Sequence, residues 1–326
     1  MRLRGLLVAC LTVAFGAAAL SVAPAEDYPS RPGTVVVPYA PGGTTDILGR
    51  MFAQALSQRL GKPFLVENRP GAGQQIGMNA VAKSVPDGYT LLIATSSAIA
   101  INPTLYKKIS YDPAKDFTQI GMLAHLPFIL VVNNALPVKS VAELIQYAKE
   151  KPGQLSFGSG GVGASHHLYG ELFKSLAGVQ MTHVPYRGTV PALTDLVAGH
   201  IQVLFSDSPP VLPLIQAGKV RALGVTTAKR IAVAPDVPPI GDTVPGYDSA
   251  PWQMLATRSG TPPEIVDRLH TEVKAIIASP EGQKQLLDMG LIPGEPTPPA
   301  ELARFVESEI ARWGKIVHQA GAAGIE

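Results

Sequence analysis

Apolar residues in this chain fall into short blocks separated by Gly, Pro and small polar residues, and the spacing inside the blocks alternates between two periods. Residues 34–39 are apolar and β-branched and read as a strand. Residues 47–59 then carry Ile47, Leu48, Met51, Phe52, Ala55 and Leu56 at helical spacing. The alternation continues with a strand at 64–67 and a short helix at 76–83 that stops before the turn Pro86-Asp87-Gly88. Further strands are expected at 89–94, 128–133, 155–158 and 201–205, with a helix at 141–149. Strands that alternate with helices imply parallel sheets covered on both faces.

Two segments break the alternation. Residues 120–132 form a long apolar stretch interrupted at Pro127, and residues 251–256 follow a proline-rich run from 235 to 245. Both read as crossings between two lobes. After the second, Thr261-Pro262-Pro263-Glu264 opens a helix with Ile265, Leu269, Val273 and Ile276 as its apolar stripe. The expected organisation is a discontinuous first lobe, 26–124 plus 251–326, and an inserted second lobe, 125–250. Ligands of open α/β sheets bind beyond the carboxyl ends of strands, which places a site in the cleft between the lobes.

Two stretches at such strand ends share one design. Residues 35–46 run Val-Val-Val-Pro-Tyr-Ala-Pro-Gly-Gly-Thr-Thr-Asp, and residues 155–165 run Leu-Ser-Phe-Gly-Ser-Gly-Gly-Val-Gly-Ala-Ser. Each is a strand, a glycine-rich turn with small hydroxyl residues, and the start of a helix. The first N–H groups of a helix have no partner within it, and the dipole adds partial positive charge there, so each turn is a candidate anion cradle. Asp46, in the first turn of its helix, is expected to order the loop and not to meet an acidic ligand. Thr95-Ser96-Ser97 and Ser206-Asp207-Ser208 also end strands and offer hydroxyl or carboxylate contacts, with helix capping as the alternative for each. Arg187 is a candidate carboxylate clamp, and Tyr186 and Trp252 are candidate cleft walls.

Composition narrows the class. Residues 1–4 are basic, 5–20 apolar, and Ala23-Pro24-Ala25 is a small-x-small site, so an export signal cleaved after Ala25 and a periplasmic location are expected. Twenty-seven basic residues less Arg2 and Arg4 leave 25 against 25 acidic ones, a formal charge of zero. A neutral surface lacks the basic face that nucleic acid requires. The single cysteine, Cys10, falls inside the signal, which leaves no thiol cluster for a metal.

Catalytic motifs fail in detail. Gly158-Ser159-Gly160-Gly161-Val162-Gly163 satisfies G-x-G-x-x-G, but no acid follows at the distance a dinucleotide ribose needs. Gly163-Ala164-Ser165-His166-His167 misses the hydrolase elbow because His167 stands where its second glycine belongs. The adjacent pair His166-His167 does not share a helix face, so it is not a metal pair by spacing. The expectation is therefore a receptor and not an enzyme, with no catalytic residue, metal or cofactor. An exported serine hydrolase using Ser165, and a carboxylate sensor feeding a membrane signalling partner, are the alternatives.

In addition, the chain resembles the periplasmic receptors of tripartite tricarboxylate transporters, also called the Bug family. The likeness is carried by Tyr28-Pro29-Ser30-Arg31-Pro32, Pro41-Gly42-Gly43-Thr44-Thr45-Asp46, Glu67-Asn68-Arg69-Pro70-Gly71-Ala72-Gly73, Pro86-Asp87-Gly88-Tyr89-Thr90-Leu91-Leu92, the turn from Gly158 to Ser165, His183-Val184-Pro185-Tyr186-Arg187-Gly188, Ala217-Gly218-Lys219-Val220-Arg221-Ala222-Leu223 and Gly260-Thr261-Pro262-Pro263. It spans essentially the whole exported chain.

The resemblance implies an α/β, two-lobed periplasmic binding protein of type II-like form, each lobe a mainly parallel sheet flanked by helices. It implies a hinge-closing, monomeric receptor that hands a small carboxylate to integral-membrane permease subunits. The loops matching 40–45 and 159–165 would hold a ligand carboxylate, partly through ordered water. The expected ligand-binding residues are Ala40, Gly42, Gly43, Thr44, Thr45, Thr95, Ser96, Ser159, Gly160, Gly161, Gly163, Ala164, Ser165, His166, Tyr186, Arg187 and Asp207. Gln74, Gln75 and Met254 depart from the family pattern and are where ligand choice would change.

Overall fold

The computed structural model describes residues 28–319 and 321–325; the expected signal and its cleavage site lie outside them. The first part of the chain runs β1 (Gly33–Val37), α1 (Thr44–Leu60), β2 (Phe64–Asn68), α2 (Gln75–Ala82), β3 (Thr90–Thr95), α3 (Asn102–Leu105) and β4 (Phe117–His125). An inserted set follows: β5 (Phe128–Asn133), α4 (Val141–Glu150), β6 (Ser156–Ser159), α5 (Ser165–Ala177), β7 (Thr182–Pro185), α6 (Thr189–Ala198), β8 (Val203–Asp207), α7 (Ser208–Gln216) and β9 (Val220–Val225). The chain then returns as β10 (Trp252–Arg258), α8 (Pro263–Ala278), α9 (Pro280–Asp288), β11 (Ile292–Pro293) and α10 (Pro299–Gln319).

These elements make two sheets, ordered β11-β4-β10-β3-β1-β2 and β7-β6-β8-β5-β9. Pairs joined through a helix are parallel: β1 with β2 and β3, and β6 with β7 and β8. The expected parallel character stops at the crossings. β10 is antiparallel to β3 and β4, and β5 to β8 and β9, so both sheets are mixed. The physical reason is that β5 and β10 enter their sheets from the crossings, at the cleft end, and so run against strands whose carboxyl ends face the cleft.

The two crossings lie side by side. The Leu126 amide donates to the Pro251 carbonyl at 2.7 Å, Thr226 to Phe128 at 2.9 Å and Ser249 to Thr226 at 2.9 Å. One buried cluster extends from the first sheet through the crossings to Tyr169 and Phe173 of α5, and a smaller one lies under α6 and α7.

α1 begins at Thr44, three residues before the apolar stripe does, because its first turn, Thr44-Thr45-Asp46, is buried but polar. It ends at Gly61, whose φ of 69° is the left-handed helix stop and whose N–H bonds Ser57. α5 ends in the same way at Gly178, φ 64°. Among the described residues no helix is long and apolar enough to cross a membrane.

Candidate functional site

Where the carboxyl ends of the two sheets face each other lies a cavity of about 760 Å³. The first sheet contributes the turn between β1 and α1, the Thr95-Ser96-Ser97 end of β3, and Gln74. The second contributes residues 160–161 and 164–166, the loop from Tyr186 to Pro191, and Asp207, while Phe128, Trp252 and Gln253 come from the crossing strands. The N-termini of α1, α5, α6 and α7 all lie here, since Thr44, Ser165, Thr189 and Asp207 line it and begin or precede those helices. Four dipoles directed at one space make it favourable for negative charge.

Asp207 is the anion already there. Its carboxylate accepts from the hydroxyls of Thr44 and Thr189, the latter at 2.9 Å, and from His166 Nε2 at 3.1 Å. Burial alone would raise its pKa, but these donors and the His166 ring outweigh it and hold the carboxyl below the usual carboxylate range. It precedes α7 without making a side-chain cap, so its role is to tie the starts of α1, α5 and α6 together.

Thr44 begins a helix beside the first sheet and Asp207 ends a strand of the second, so this bond bridges the cleft. A second bridge does the same: Ser165 Oγ lies 2.8 Å from Ser97 Oγ. Ala164 holds the N-cap position of α5, and the Ser165 hydroxyl spans the cleft. Among the described residues no hydrogen bond joins the Ser165 hydroxyl to a histidine. On the first lobe, Thr45 Oγ1 accepts from Gln253 Nε2 at 2.7 Å, and Thr95 donates to Gln74 Oε1 at 2.5 Å. Burial pushes the phenol of Tyr39, which faces Ser97 and Gln74, up to about 12.

Three residues expected at the ligand lie outside the lining. The Ser159 hydroxyl turns back to donate to the Gly161 carbonyl at 3.0 Å and meets His183 Nε2 at 2.6 Å. The Gly163 amide is spent on His167 Nδ1 at 3.3 Å, and that of Gly42 on Asp46 Oδ2 at 3.0 Å. In each case the turn uses the group to hold itself. Asp46 indeed orders its loop, accepting also from Arg50 and Asn68. The remaining expected residues, Ala40, Gly43, Thr44, Thr45, Thr95, Ser96, Gly160, Gly161, Ala164, Ser165, His166, Tyr186, Arg187 and Asp207, line the cavity. Arg187 stands exposed at its rim. Tyr186 gives its hydroxyl to Asp195 at 2.7 Å, leaving its ring as wall, and Trp252 is both wall and core, its indole donating to Glu309 at 2.8 Å.

Sequence reasoning missed Tyr39, Thr189 and Gln253 as lining residues. Tyr39 follows directly on β1, which was a usable signal; Thr189 and Gln253 are single polar residues with no motif around them. Among the described residues no cluster of His, Cys, Asp and Glu could hold a metal.

A family model described as the tripartite tricarboxylate transporter family receptor matches residues 48–322. Protein BugT of Bordetella pertussis is 35% identical over 300 residues, which is 91% of this chain and 92% of that one. The solved structure of R. palustris Rpa4515 with adipate is 43% identical, has a TM-score of 0.88, and covers 92% of this chain and 100% of its own. MatC (Rpa3494) from Rhodopseudomonas palustris, solved with bound malate, is 32% identical with a TM-score of 0.83, covering 89% of this chain and 100% of its own.

Proposed function

This chain belongs to the tripartite tricarboxylate transporter receptor family of periplasmic solute-binding proteins, and from that premise we propose that it closes its two lobes on a small carboxylate and delivers it to an integral-membrane permease. The observation that carries this reading is the pair of helix starts, α1 and α5, lining one cavity from opposite lobes. A carboxylate placed between them gains charge-assisted hydrogen bonds from both lobes at once and so favours the closed form. That adipate and malate are bound by the two relatives supports the same ligand class. The hydrogen-bonded crossings at Leu126–Pro251 and Phe128–Thr226 are where a hinge rotation would be absorbed.

Thermal unfolding of protein stripped of ligand by refolding, against a panel of acids with their amides as controls, tests this. At a thousand times Kd, binding to the folded form adds about 4 kcal/mol, a shift of several degrees at about 2–4 °C per kcal/mol. A shift with an acid and none with its amide is expected. No shift with any acid in a chain that unfolds cooperatively would overturn the reading.

A further inference from the structure

Buried polar atoms in folded proteins find partners, so those that do not point to something still to arrive. Among the described residues three buried side-chain atoms lack one: Asn79 Oδ1, His166 Nδ1 and Gln253 Oε1. Two of these three residues, His166 and Gln253, line the cavity, and the orphan atom of Gln253 is an acceptor.

Gln253 is 3% exposed. It sits on β10 opposite Thr95 of β3, and its Nε2 is fixed by the hydrogen bond to Thr45 Oγ1. With the amide nitrogen so committed, Oε1 needs a donor, and it finds none among the described residues. The Thr95 hydroxyl hydrogen goes to Gln74 Oε1, and Thr95 Oγ1 accepts from the Ala98 amide at 3.3 Å. Asp207 is acceptor-only in its ionised form.

His166 repeats the pattern. Its Nε2 lies 3.1 Å from Asp207 Oδ1 and 2.9 Å from Thr189 Oγ1, while Nδ1 has no partner among the described residues. The side chain is 8% exposed, so water does not readily supply the missing partner.

The helix starts offer N–H groups, and a carboxylate satisfies those. It brings no hydrogen of its own, however, and cannot satisfy an amide carbonyl. Resting on the receptor reading above, we propose that Gln253 is a specificity-determining residue that accepts a hydrogen bond from the ligand, so that the cleft selects carboxylic acids bearing a hydroxyl or ammonium group over unsubstituted acids of the same length. Family membership leaves this open, because the two relatives' ligands, adipate and malate, differ in this feature. A site built around a buried polar group discriminates strongly against the analogue lacking its partner.

The test is calorimetric titration of the full exported protein with two matched sets: succinate, malate, aspartate and oxaloacetate, and adipate with its 2-hydroxy, 2-amino and 2-oxo derivatives. In the set whose length fits, the hydroxy or amino acid is expected to bind about ten- to a hundredfold tighter than the unsubstituted one; which of the two leads identifies the donor. Gln253→Met is expected to collapse that ratio towards one, and Gln253→Glu, which keeps an acceptor, is expected to retain the preference while its added charge weakens every acid alike. Equal affinities in the wild-type protein, an oxo acid binding tightest, or a ratio that survives Gln253→Met would each overturn the assignment while leaving the receptor reading intact. Failure of every acid to bind would overturn both. Should a variant not fold, the wild-type ranking still decides whether a donor is selected.

Discussion

The two glycine turns follow one plan but are held in place by opposite means. In the first, a charge does the holding. The Asp46 carboxylate reaches back from the first turn of α1 to the Gly42 amide and is itself fixed by Arg50 Nε at 3.0 Å and Asn68 Nδ2 at 2.8 Å. Burial opposes its ionisation, but Arg50, Gly42 and Asn68 together hold it below the ordinary carboxylate range. In the second, two neutral aromatic rings do it. His167 Nδ1 accepts from the Gly163 amide, His183 Nε2 meets Ser159 Oγ, and the imidazoles stack with centroids 3.9 Å apart beside Phe157. Each turn thus spends amides on its own order, the Gly161 N–H on Ser159 Oγ among them, and the means chosen decides how each lobe responds to charge and to acid.

The largest expected effect comes from putting charge where the second turn has none. Gly161 lines the cavity, and a Cβ there meets only the Tyr186 carbonyl, at 3.4 Å. Gly161→Asp adds a carboxylate beside the helix start that would take the ligand's. Affinity for the cognate acid should fall on the order of a thousandfold, because like charges brought together in a desolvated site cost several kcal/mol. The backbone φ of 129° adds strain of about 1–2 kcal/mol, read from a urea transition that stays cooperative. Affinity unchanged within a factor of two would remove this turn from the binding site.

Acid is the next lever, and it should reach the second turn first. Burial, with Lys174 as a lesser cause, lowers the His167 pKa to about 4; burial, then His167 and Lys174, lowers that of His183 to about 3. The groups facing the pair are Lys174, Glu171 (3.8 Å from His167 Nε2) and the Ser159 hydroxyl. Between those values and the unfolded value of about 6.5 the unfolded chain binds more protons, so stability rises with pH and is lost as pH falls through that window. The loss from pH 6.5 to about 4 is on the order of 3 kcal/mol for the more buried His167, and less for His183, whose part-exposed ring is screened by solvent. His183→Phe, which keeps an aromatic ring against Phe157, should flatten the dependence measured by urea unfolding across pH 4–7. A slope as steep as in the parent chain would show that the pair is not its source. The first turn should outlast this range, since Asp46 stays ionised below it.

How much of this could be read beforehand differs between backbone and side chains. The strand–turn–helix units were legible because a three-valine strand and a regular apolar stripe leave period-specific traces, as in β1 and α1. The crossings were legible from Pro127 and from the proline run before Trp252. What the turns do with each amide was not. In a run such as Ser159-Gly160-Gly161-Val162-Gly163, composition shows that N–H groups are available but not which are already taken. The two histidines that take or steer them lie at 167 and 183, in different elements. Gln253, Thr189 and Tyr39 reach the cavity only through sheet order and loop return, so no local pattern marks them. Mixed strand direction was hidden for a related reason: nothing within β5 or β10 records that it enters its sheet from the cleft end.

The finest distinction concerns two glycines with nearly the same left-handed backbone. Gly42 has φ 93° and Gly163 φ 79°, so alanine at either carries conformational strain of about 1 kcal/mol. Their surroundings differ. A Cβ at 42 meets nothing within 4 Å, whereas one at 163 lies 2.2 Å from Leu105 Cδ2, with Tyr106 Oη and Asn102 Oδ1 behind it. Leu105 ends α3 in the first lobe, so this clash exists only while the lobes are together. Gly42→Ala and Gly163→Ala should therefore lose similar stability in urea, yet Gly163→Ala alone should weaken ligand binding, about tenfold, because closure must displace Leu105. The comparison needs both variants and both measurements. Equal affinities would mean that Leu105 yields without cost, and equal losses of affinity would mean that strain in either turn, and not contact across the cleft, governs binding.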